Sequence, residues 1–181
     1  EMMNPTLRLY TSTDLAGVEL GGAIKNVMAL AVGMLDGMGM GDNTKAALMT
    51  RGITEMMRLG VAFGGRPETF TGLTGIGDLI VTCISQHSRN KRAGVLIGSG
   101  MPPEQAVAKV GTVEGYTTTK AVYAVAKEHG IEMPIVEAIH GVLYEGEQAM
   151  PTLDRLMRRN KKHENEQEWF KQTRMLYFFI R

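Results

Sequence analysis

Between Leu20 and Leu35 the chain carries a single charged side chain, that of Lys25, among small and aliphatic residues. A run of this length and apolar character is typical of a helix in the core of a domain. Burial disfavours a charged ammonium, so a lysine in such a helix is suited to accept a proton near neutral pH. The alternative is a lysine whose side chain reaches solvent. We therefore predict one long helix over residues 15–35, with Lys25 as its candidate functional group.

Glycine and proline divide the rest of the chain into further helical segments. Asn43 or Thr44 is expected to cap the second helix, in which apolar residues recur at helical spacing. Residues 7–11 alternate briefly and predict one short strand. The pattern indicates a mainly α fold, with later helices over residues 78–83, 90–97, 102–110, 114–129, 135–144 and 152–159.

A nucleotide-binding domain is not expected within this chain. A doubly wound fold needs strands that alternate with helices, and the pattern contains one candidate strand. No Gly-x-Gly-x-x-Gly follows that strand, and the glycines at 37–41 follow a helix, where we interpret them as a turn. The chain begins with Glu1, so we expect a fragment of a longer protein.

Composition excludes several other classes of protein. The chain has 181 residues and a formal net charge of +1, which argues against nucleic acid or an anionic membrane as a partner. The uninterrupted apolar stretch near residues 27–35 is too short to span a bilayer. Cys83 is the single cysteine, which excludes an intramolecular disulfide and favours the cytoplasm. Its apolar neighbours indicate a core residue rather than a nucleophile.

Polar side chains capable of catalysis or ligand binding lie at the starts of later helices. Asp78, taken alone, is most simply a helix N-cap, although near a lysine it would orient the amine. Residues 88–90, Ser-Arg-Asn, place hydroxyl, guanidinium and amide donors beside a helix N-terminus, which suits a phosphate as well as an exposed capping turn. Glu114 is either a first-turn acid that stabilises its helix or a ligand contact.

Five short segments of the chain form a recognisable set: residues 18–26, 74–79, 88–90, 113–116 and 132–135. Together they resemble the C-terminal domain of the bacterial-type NAD(P)-dependent glycerol-3-phosphate dehydrogenases. They occur in that family's order and with about its spacing between Leu7 and Glu164. The resemblance implies a multi-helix substrate domain of the 6-phosphogluconate-dehydrogenase-like kind, preceded by a Rossmann domain whose last strand is residues 7–13.

The resemblance also implies a reaction and a division of roles. The parent enzyme would interconvert sn-glycerol 3-phosphate and dihydroxyacetone phosphate with NAD or NADP, which is bound mainly by the absent domain. Lys25 would accept the proton of the C2 hydroxyl during oxidation and return it in reduction. Asp78 would line the same substrate pocket as a second catalytic residue. Asn26 would contact substrate or cofactor.

The phosphate and the cofactor would be held by the later segments. Ser88, Arg89 and Asn90 would bind the substrate phosphate. Arg89 and Glu114 would contact the cofactor. No metal site is expected, because the four histidines lack the spacing of metal ligands. A homodimer is compatible with the sequence.

Three parts of the chain follow from this interpretation. Residues 1–13 would be the remnant of the NAD-binding domain, residues 14–164 the helical substrate domain, and residues 165–181 an atypical apolar tail. Without its cofactor domain the fragment should be inactive.

Two alternative functions remain at this level. The first is a helical interaction module that presents Tyr123, Val136, Leu143 and Tyr144. The second is nucleic-acid binding through the basic run 155–162, which the near-zero net charge disfavours.

Overall fold

The computed structural model describes residues 3–159, and that part of the chain is built from helices. A single π-helical turn, Leu73–Gly77, follows the third α-helix and leads directly into the fourth. The α-helices are α1 (Leu15–Gly37), α2 (Asp42–Ala62), α3 (Pro67–Thr71), α4 (Asp78–Ile84), α5 (Arg89–Gly98), α6 (Pro103–Val110), α7 (Glu114–Glu128), α8 (Pro134–Tyr144) and α9 (Ala149–Met157). The prediction of a mainly α domain is confirmed.

Two local predictions are wrong. Residue Gly41, not Asn43 or Thr44, stands at the cap of α2, and it makes no side-chain hydrogen bond. The strand predicted over 7–11 does not form: Leu7 makes one isolated antiparallel bridge to Asn4, and its neighbours are exposed. A strand needs a partner for its backbone groups, and the described residues offer none. The assignment of residues 1–13 to a preceding domain stays a prediction.

Helix α1 runs through the centre of the domain. Every residue from 26 to 35 is buried, and α2, α4, α5 and α7 all pack against this helix. The helix has 23 residues, and its most apolar 18-residue stretch has a mean hydropathy of 1.4, which matches a membrane span by length and composition. However, 67% of that stretch is buried inside the domain. The helix is therefore the core of the fold, and its apolar run is explained by burial on all sides.

Helices α1 and α5 meet backbone to backbone through glycines spaced four residues apart on each helix. A Cβ atom on Gly94 would lie 2.1 Å from the carbonyl oxygen of Leu30, and one on Gly98 would lie 2.1 Å from that of Met34. The reciprocal positions on α1, Gly33 and Gly37, are equally close to the α5 backbone. Small residues at this spacing let two helices approach closely, so any side chain here would force them apart.

Two buried carboxylates, those of Asp14 and Glu55, bind backbone N–H groups at helix N-termini. Asp14 caps α1 through the Gly17 N–H at 3.0 Å and also accepts from the Arg66 N–H at 2.8 Å. Glu55, on α2, accepts from the backbone N–H groups of Ile135 and Val136 at 2.7 and 3.2 Å, which places an acid at the N-terminus of α8. Each carboxylate satisfies helix donors that would otherwise be buried without partners.

We predict that Gly94→Ala lowers the free energy of unfolding by about 2–3 kcal/mol, because the new methyl group collides with the α1 backbone. Urea unfolding followed by circular dichroism measures the change. Gly22→Ala is the matched control, since no atom lies within 4 Å of its Cβ position. That variant should gain about 0.5–1 kcal/mol from helix propensity. Equal effects of the two substitutions would contradict the close-packing explanation.

Glu55 should make stability depend on pH in an unusual direction. Burial raises the pKa of Glu55 from about 4.5 to about 7, although the two N–H donors act to lower it. Between these values the folded state binds more protons than the unfolded state. The free energy of unfolding therefore falls as pH rises through this window, by roughly 1 kcal/mol per pH unit at most.

We expect Glu55→Gln to abolish this part of the pH dependence, because the amide cannot ionise. Urea unfolding at several pH values between about 4.5 and 7 measures the slope. Glu19→Gln, at an exposed position of α1, is the control and should leave the slope unchanged. A slope that is the same in Glu55→Gln and in the parent chain would assign the pH dependence to other groups.

Candidate active site

Lys25 and Asp78 form an ion pair between α1 and the first residue of α4. The side chain of Lys25 is 20% exposed and that of Asp78 is 36% exposed, so the pair lies at the surface edge of the core. Asp78 is not an N-cap: Gly77 occupies that position, and the Asp78 carboxylate is turned toward the lysine. The simple capping interpretation is therefore wrong, and the interpretation in which Asp78 orients the lysine fits the geometry.

The π-helical turn before α4 sets the position of Asp78. At Gly75 in this turn a Cβ atom would lie 1.9 Å from the carbonyl oxygen of Phe70, so the turn requires glycine. One turn further along α4, Thr82 donates a hydrogen bond to the Asp78 backbone carbonyl at 2.6 Å. Its hydroxyl also lies 3.4 Å from the Asp78 carboxylate. A π-helical turn at a candidate site is a common arrangement.

The buried carboxamides of Asn26 and Asn90 link α1, α5 and α7. Asn90 Nδ2 donates to Asn26 Oδ1 at 2.9 Å, and Asn26 Nδ2 donates to the Glu114 carboxylate at 2.9 Å. At the other end, the backbone N–H of Gly115 donates to Asn90 Oδ1 at 2.8 Å. The side chains of both asparagines are thus held by partners from two other helices.

The N-terminus of α5 keeps unpaired donors. The Ser88 hydroxyl caps the helix by accepting from the Lys91 N–H at 3.3 Å. The backbone N–H groups of Arg89 and Asn90 precede the first intrahelical hydrogen bond. The exposed Arg89 guanidinium makes no ion pair or hydrogen bond to any described residue. This helix end therefore offers a guanidinium and backbone donors for a ligand.

A cavity of about 350 Å³ joins these groups. Five of the seven candidate residues line it, whereas Lys25 and Asp78 do not and adjoin it through Asn26 and Thr82. Sequence reasoning missed four lining residues: Val81, Thr82, Ser85 and Thr112. Three of them follow Asp78 at helical spacing, which is a signal that the pattern of α4 already contained.

A second ion-pair network holds α5 against α4 and α1. Lys91 is buried, and its Nζ lies 3.2 Å from the Asp36 carboxylate and 3.1 Å from the Ile84 carbonyl oxygen at the end of α4. Lys45 contacts the same Asp36 at 2.8 Å. Burial acts to raise the pKa of Asp36, but the hydrogen bonds from the two lysines outweigh it and the pKa is lowered. The carboxylate thus stays ionised between two ammonium groups.

Other candidates in the chain have structural explanations. Cys83 is buried, and burial raises the pKa of its thiol to about 12, which confirms a core role. Among residues 3–159 no group of three or more His, Cys, Asp or Glu side chains is placed to hold a metal ion. The described arginines of the basic run, Arg155, Arg158 and Arg159, pair with nearby carboxylates.

The surface of the alternative interaction module, made of Tyr123, Val136, Leu143 and Tyr144, is only partly exposed. Val136 and Leu143 are buried in the core, so the expectation that they form a contact surface is wrong, because α8 packs against α7, α9 and α1. Tyr123 and Tyr144 are half-buried and stack around His140. The tail 165–181 and the lysines at 161 and 162 lie outside the described residues.

Comparison with known proteins identifies the family. A family described as "NAD-dependent glycerol-3-phosphate dehydrogenase C-terminus" matches residues 14–154. The chain belongs to this family. Among curated relatives, a glycerol-3-phosphate dehydrogenase [NAD(P)+] of Moorella thermoacetica is 56% identical over 165 residues, which are 91% of this chain and 49% of that protein. One of Desulfitobacterium hafniense is 55% identical over 167 residues, 92% of this chain and 47% of that protein.

Solved structures agree with this membership. A glycerol-3-phosphate dehydrogenase from Coxiella burnetii superposes with a TM-score of 0.83 at 42% identity, over 87% of this chain and 49% of that one. The chain thus spans about half the length of the family relatives it matches. The predicted resemblance and the predicted multi-helix fold of the family's C-terminal domain are both confirmed.

We predict that Asn90→Ala lowers the free energy of unfolding by about 2–3 kcal/mol. The substitution leaves the Gly115 N–H and Asn26 Oδ1 buried without partners. Urea unfolding of the chain measures the loss. Asn43→Ala, at an exposed position of α2, is the control and should change stability by less than about 0.5 kcal/mol. We call the chain of hydrogen bonds from the Gly115 N–H through Asn90 and Asn26 to Glu114 the amide relay. If Asn90→Ala loses no more stability than the control, the amide relay does not hold these helices together.

Proposed function

We propose that this chain is the substrate half of an NAD(P)-dependent glycerol-3-phosphate dehydrogenase, which interconverts sn-glycerol 3-phosphate and dihydroxyacetone phosphate. The proposal rests on the Lys25–Asp78 ion pair, which lies beside a cavity that is also lined by the N-terminal residues of α5 with their hydrogen-bond donors. A proton-transfer group and an anion-binding group are the two things that this reaction asks of a substrate domain. Membership of the family supports the same assignment.

The substrate phosphate would bind at the N-terminus of α5. The first residues of α4 and α7 are Asp78 and Glu114, whose carboxylates offset the positive ends of those helices. Helix α5 has no acid in its first turn and carries Arg89 there. Its helix dipole and guanidinium are thus left for an external anion. Ser88 and Asn90 line the same cavity, and Asn90 keeps a second amide N–H that donates to no described residue.

Lys25 would move the proton at the substrate's C2 oxygen. During reduction its ammonium donates a proton to the ketone oxygen as negative charge develops there, and during oxidation its amine accepts the proton of the hydroxyl. Asp78 holds the ammonium in place through the ion pair, and Thr82 in turn braces Asp78. Phosphate held at α5 would orient C2 toward Lys25, which is the contribution of a fixed anchor.

The nicotinamide cofactor supplies or accepts the hydride when it is bound. The cavity edge offers Arg89 and the exposed carboxylate of Glu114, a donor and an acceptor that suit the phosphate and hydroxyl groups of a dinucleotide. Residues 3–159 contain no strand followed by a glycine-rich phosphate loop, so most cofactor contacts must come from another domain. We therefore expect the 181-residue chain alone to be inactive. A cytoplasmic homodimer stays a prediction.

The test is a chimaera in which this chain follows the first half of the Moorella thermoacetica relative, assayed for NADH and NADPH oxidation with dihydroxyacetone phosphate. Lys25→Ala should lower kcat/KM by about 100-fold or more, because the proton donor is lost. Arg89→Ala should raise the KM for dihydroxyacetone phosphate by about 10- to 100-fold, because a charge-assisted contact is lost.

The control substitutions replace a lysine and an arginine at exposed positions outside the proposed site. Lys120→Ala on α7 and Arg92→Ala on α5 should leave both constants within about twofold of the parent chimaera. A folded chimaera that is active and indifferent to Lys25→Ala and Arg89→Ala would refute the assigned roles. A folded chimaera without activity would refute the proposed function for this chain.

A further inference from the structure

We infer that Asn26 is a positioning residue: its carboxamide sets the orientation of Asn90 and Glu114 and donates no hydrogen bond to substrate or cofactor. The inference differs from the expectation drawn for Asn26 from the sequence. It rests on the proposed function for what Asn90 and Glu114 then do, namely contact the substrate phosphate and the cofactor. The hydrogen bonds themselves belong to this chain and are testable without activity.

Both N–H donors of the Asn26 carboxamide are used within the protein. A carboxamide has two N–H donors and one carbonyl oxygen. Asn26 Nδ2 donates to the Glu114 carboxylate at 2.9 Å and to the Gly22 carbonyl oxygen at 3.3 Å, while its Oδ1 accepts from Asn90 at 2.9 Å. The residue is only 7% exposed. No N–H of Asn26 is left to donate to a ligand.

Its two partners, in contrast, keep free groups at the cavity. Asn90 uses its carbonyl oxygen for the Gly115 N–H and one of its amide hydrogens for Asn26, which leaves the second amide hydrogen. Glu114 accepts from Asn26 through Oε2 alone, and its side chain is exposed. Both residues line the cavity. Asn26 lines the cavity as well, but it has no free N–H to offer there, whereas Asn90 keeps a donor and Glu114 keeps acceptors.

The relay has a direction that fixes every amide in it. It begins at a backbone N–H that can only donate, Gly115, and ends at an ionised carboxylate that can only accept, Glu114. Turning over either asparagine would set two donors or two acceptors against each other. Helix α7 packs closely on α1 at this point, since a Cβ on Gly115 would lie 2.4 Å from the backbone carbonyl oxygen of Asn26 and 3.0 Å from Asn90 Oδ1.

Asn26→Asp tests the donor half of the relay. The variant keeps an oxygen for Asn90 to donate to but places a second carboxylate against Glu114. In the chimaera at about pH 8, the KM for NADH and the KM for dihydroxyacetone phosphate should each rise about tenfold. At about pH 5.5 the rise should shrink, because one proton shared by the two carboxyl groups restores a donor. A residue that acts only by filling space would show no such pH dependence.

Glu114→Gln supplies the rescue. An amide at position 114 can donate to the carboxylate of Asn26→Asp, which re-forms the hydrogen bond with reversed polarity. Measured against Glu114→Gln alone, Asn26→Asp should then change either KM by less than about threefold, at both pH values. Asn43→Asp makes the same change of charge at an exposed position and is the matched control. It should leave both constants unchanged.

Unfolding of the 181-residue chain separates this inference from the proposed function. Asn26→Asp should lower the urea midpoint at about pH 8, less so at about pH 5.5, and Glu114→Gln should remove the difference. A chimaera without activity would refute the proposed function and leave this unfolding cycle as the test. An effect of Asn26→Asp that is the same at both pH values and with either residue at 114 would overturn the inference. A rise in the KM for dihydroxyacetone phosphate alone, uncoupled from Glu114, would make Asn26 a substrate ligand.

Discussion

The backbone contact between α1 and α5 sets the positions of the other helices and of the candidate site. Gly94 against Leu30 and Gly98 against Met34 share one register, and the hydrogen bond from Asn90 to Asn26 continues it a further turn toward both N-termini. The two helices run parallel in this contact. Where the glycines end, two carboxamides replace the backbone contact, and the candidate site begins. Close packing in the core thus positions polar groups at its edge.

The N-termini of α5 and α7 border the cavity and that of α4 adjoins it through Thr82, and their charges differ. Helices α4 and α7 begin with carboxylates, Asp78 and Glu114, and each carboxylate has a partner on α1. Helix α5 begins with Arg89 and has no acid in its first turn. The site is therefore compensated everywhere except at one helix end, where positive potential is left exposed. The substrate of the proposed reaction, with one phosphate and a polar carbon centre, matches that distribution.

Most of the helices could be predicted from the sequence, but some details of the fold and of the candidate site could not. The apolar run around Lys25 predicted the central helix, and proline and glycine marked the later helices closely. Asp78 looked like an N-cap because local sequence does not show that the π-helical turn moves Gly77 into that position. Residues 7–11 looked like a strand because alternation is a local pattern, whereas a strand forms only with a partner. Val136 and Leu143 were misplaced because apolar spacing does not say which face is covered.

The helical class, the positions of most helices and the kinds of polar side chain in the candidate site could all be predicted from the amino-acid sequence. These follow from periodicity, chain-breaking residues and side-chain chemistry, which act over a few residues. Which of these groups meet depends on how the helices pack: Lys25 pairs with Asp78, and Asn26 bonds to both Asn90 and Glu114. The tertiary structure also decided that Arg89 stays unpaired among the described residues while Lys91, two positions later, is buried in an ion pair. Such pairings depend on the register of helices distant in sequence, and that register is set by backbone contact at glycines rather than by any local preference.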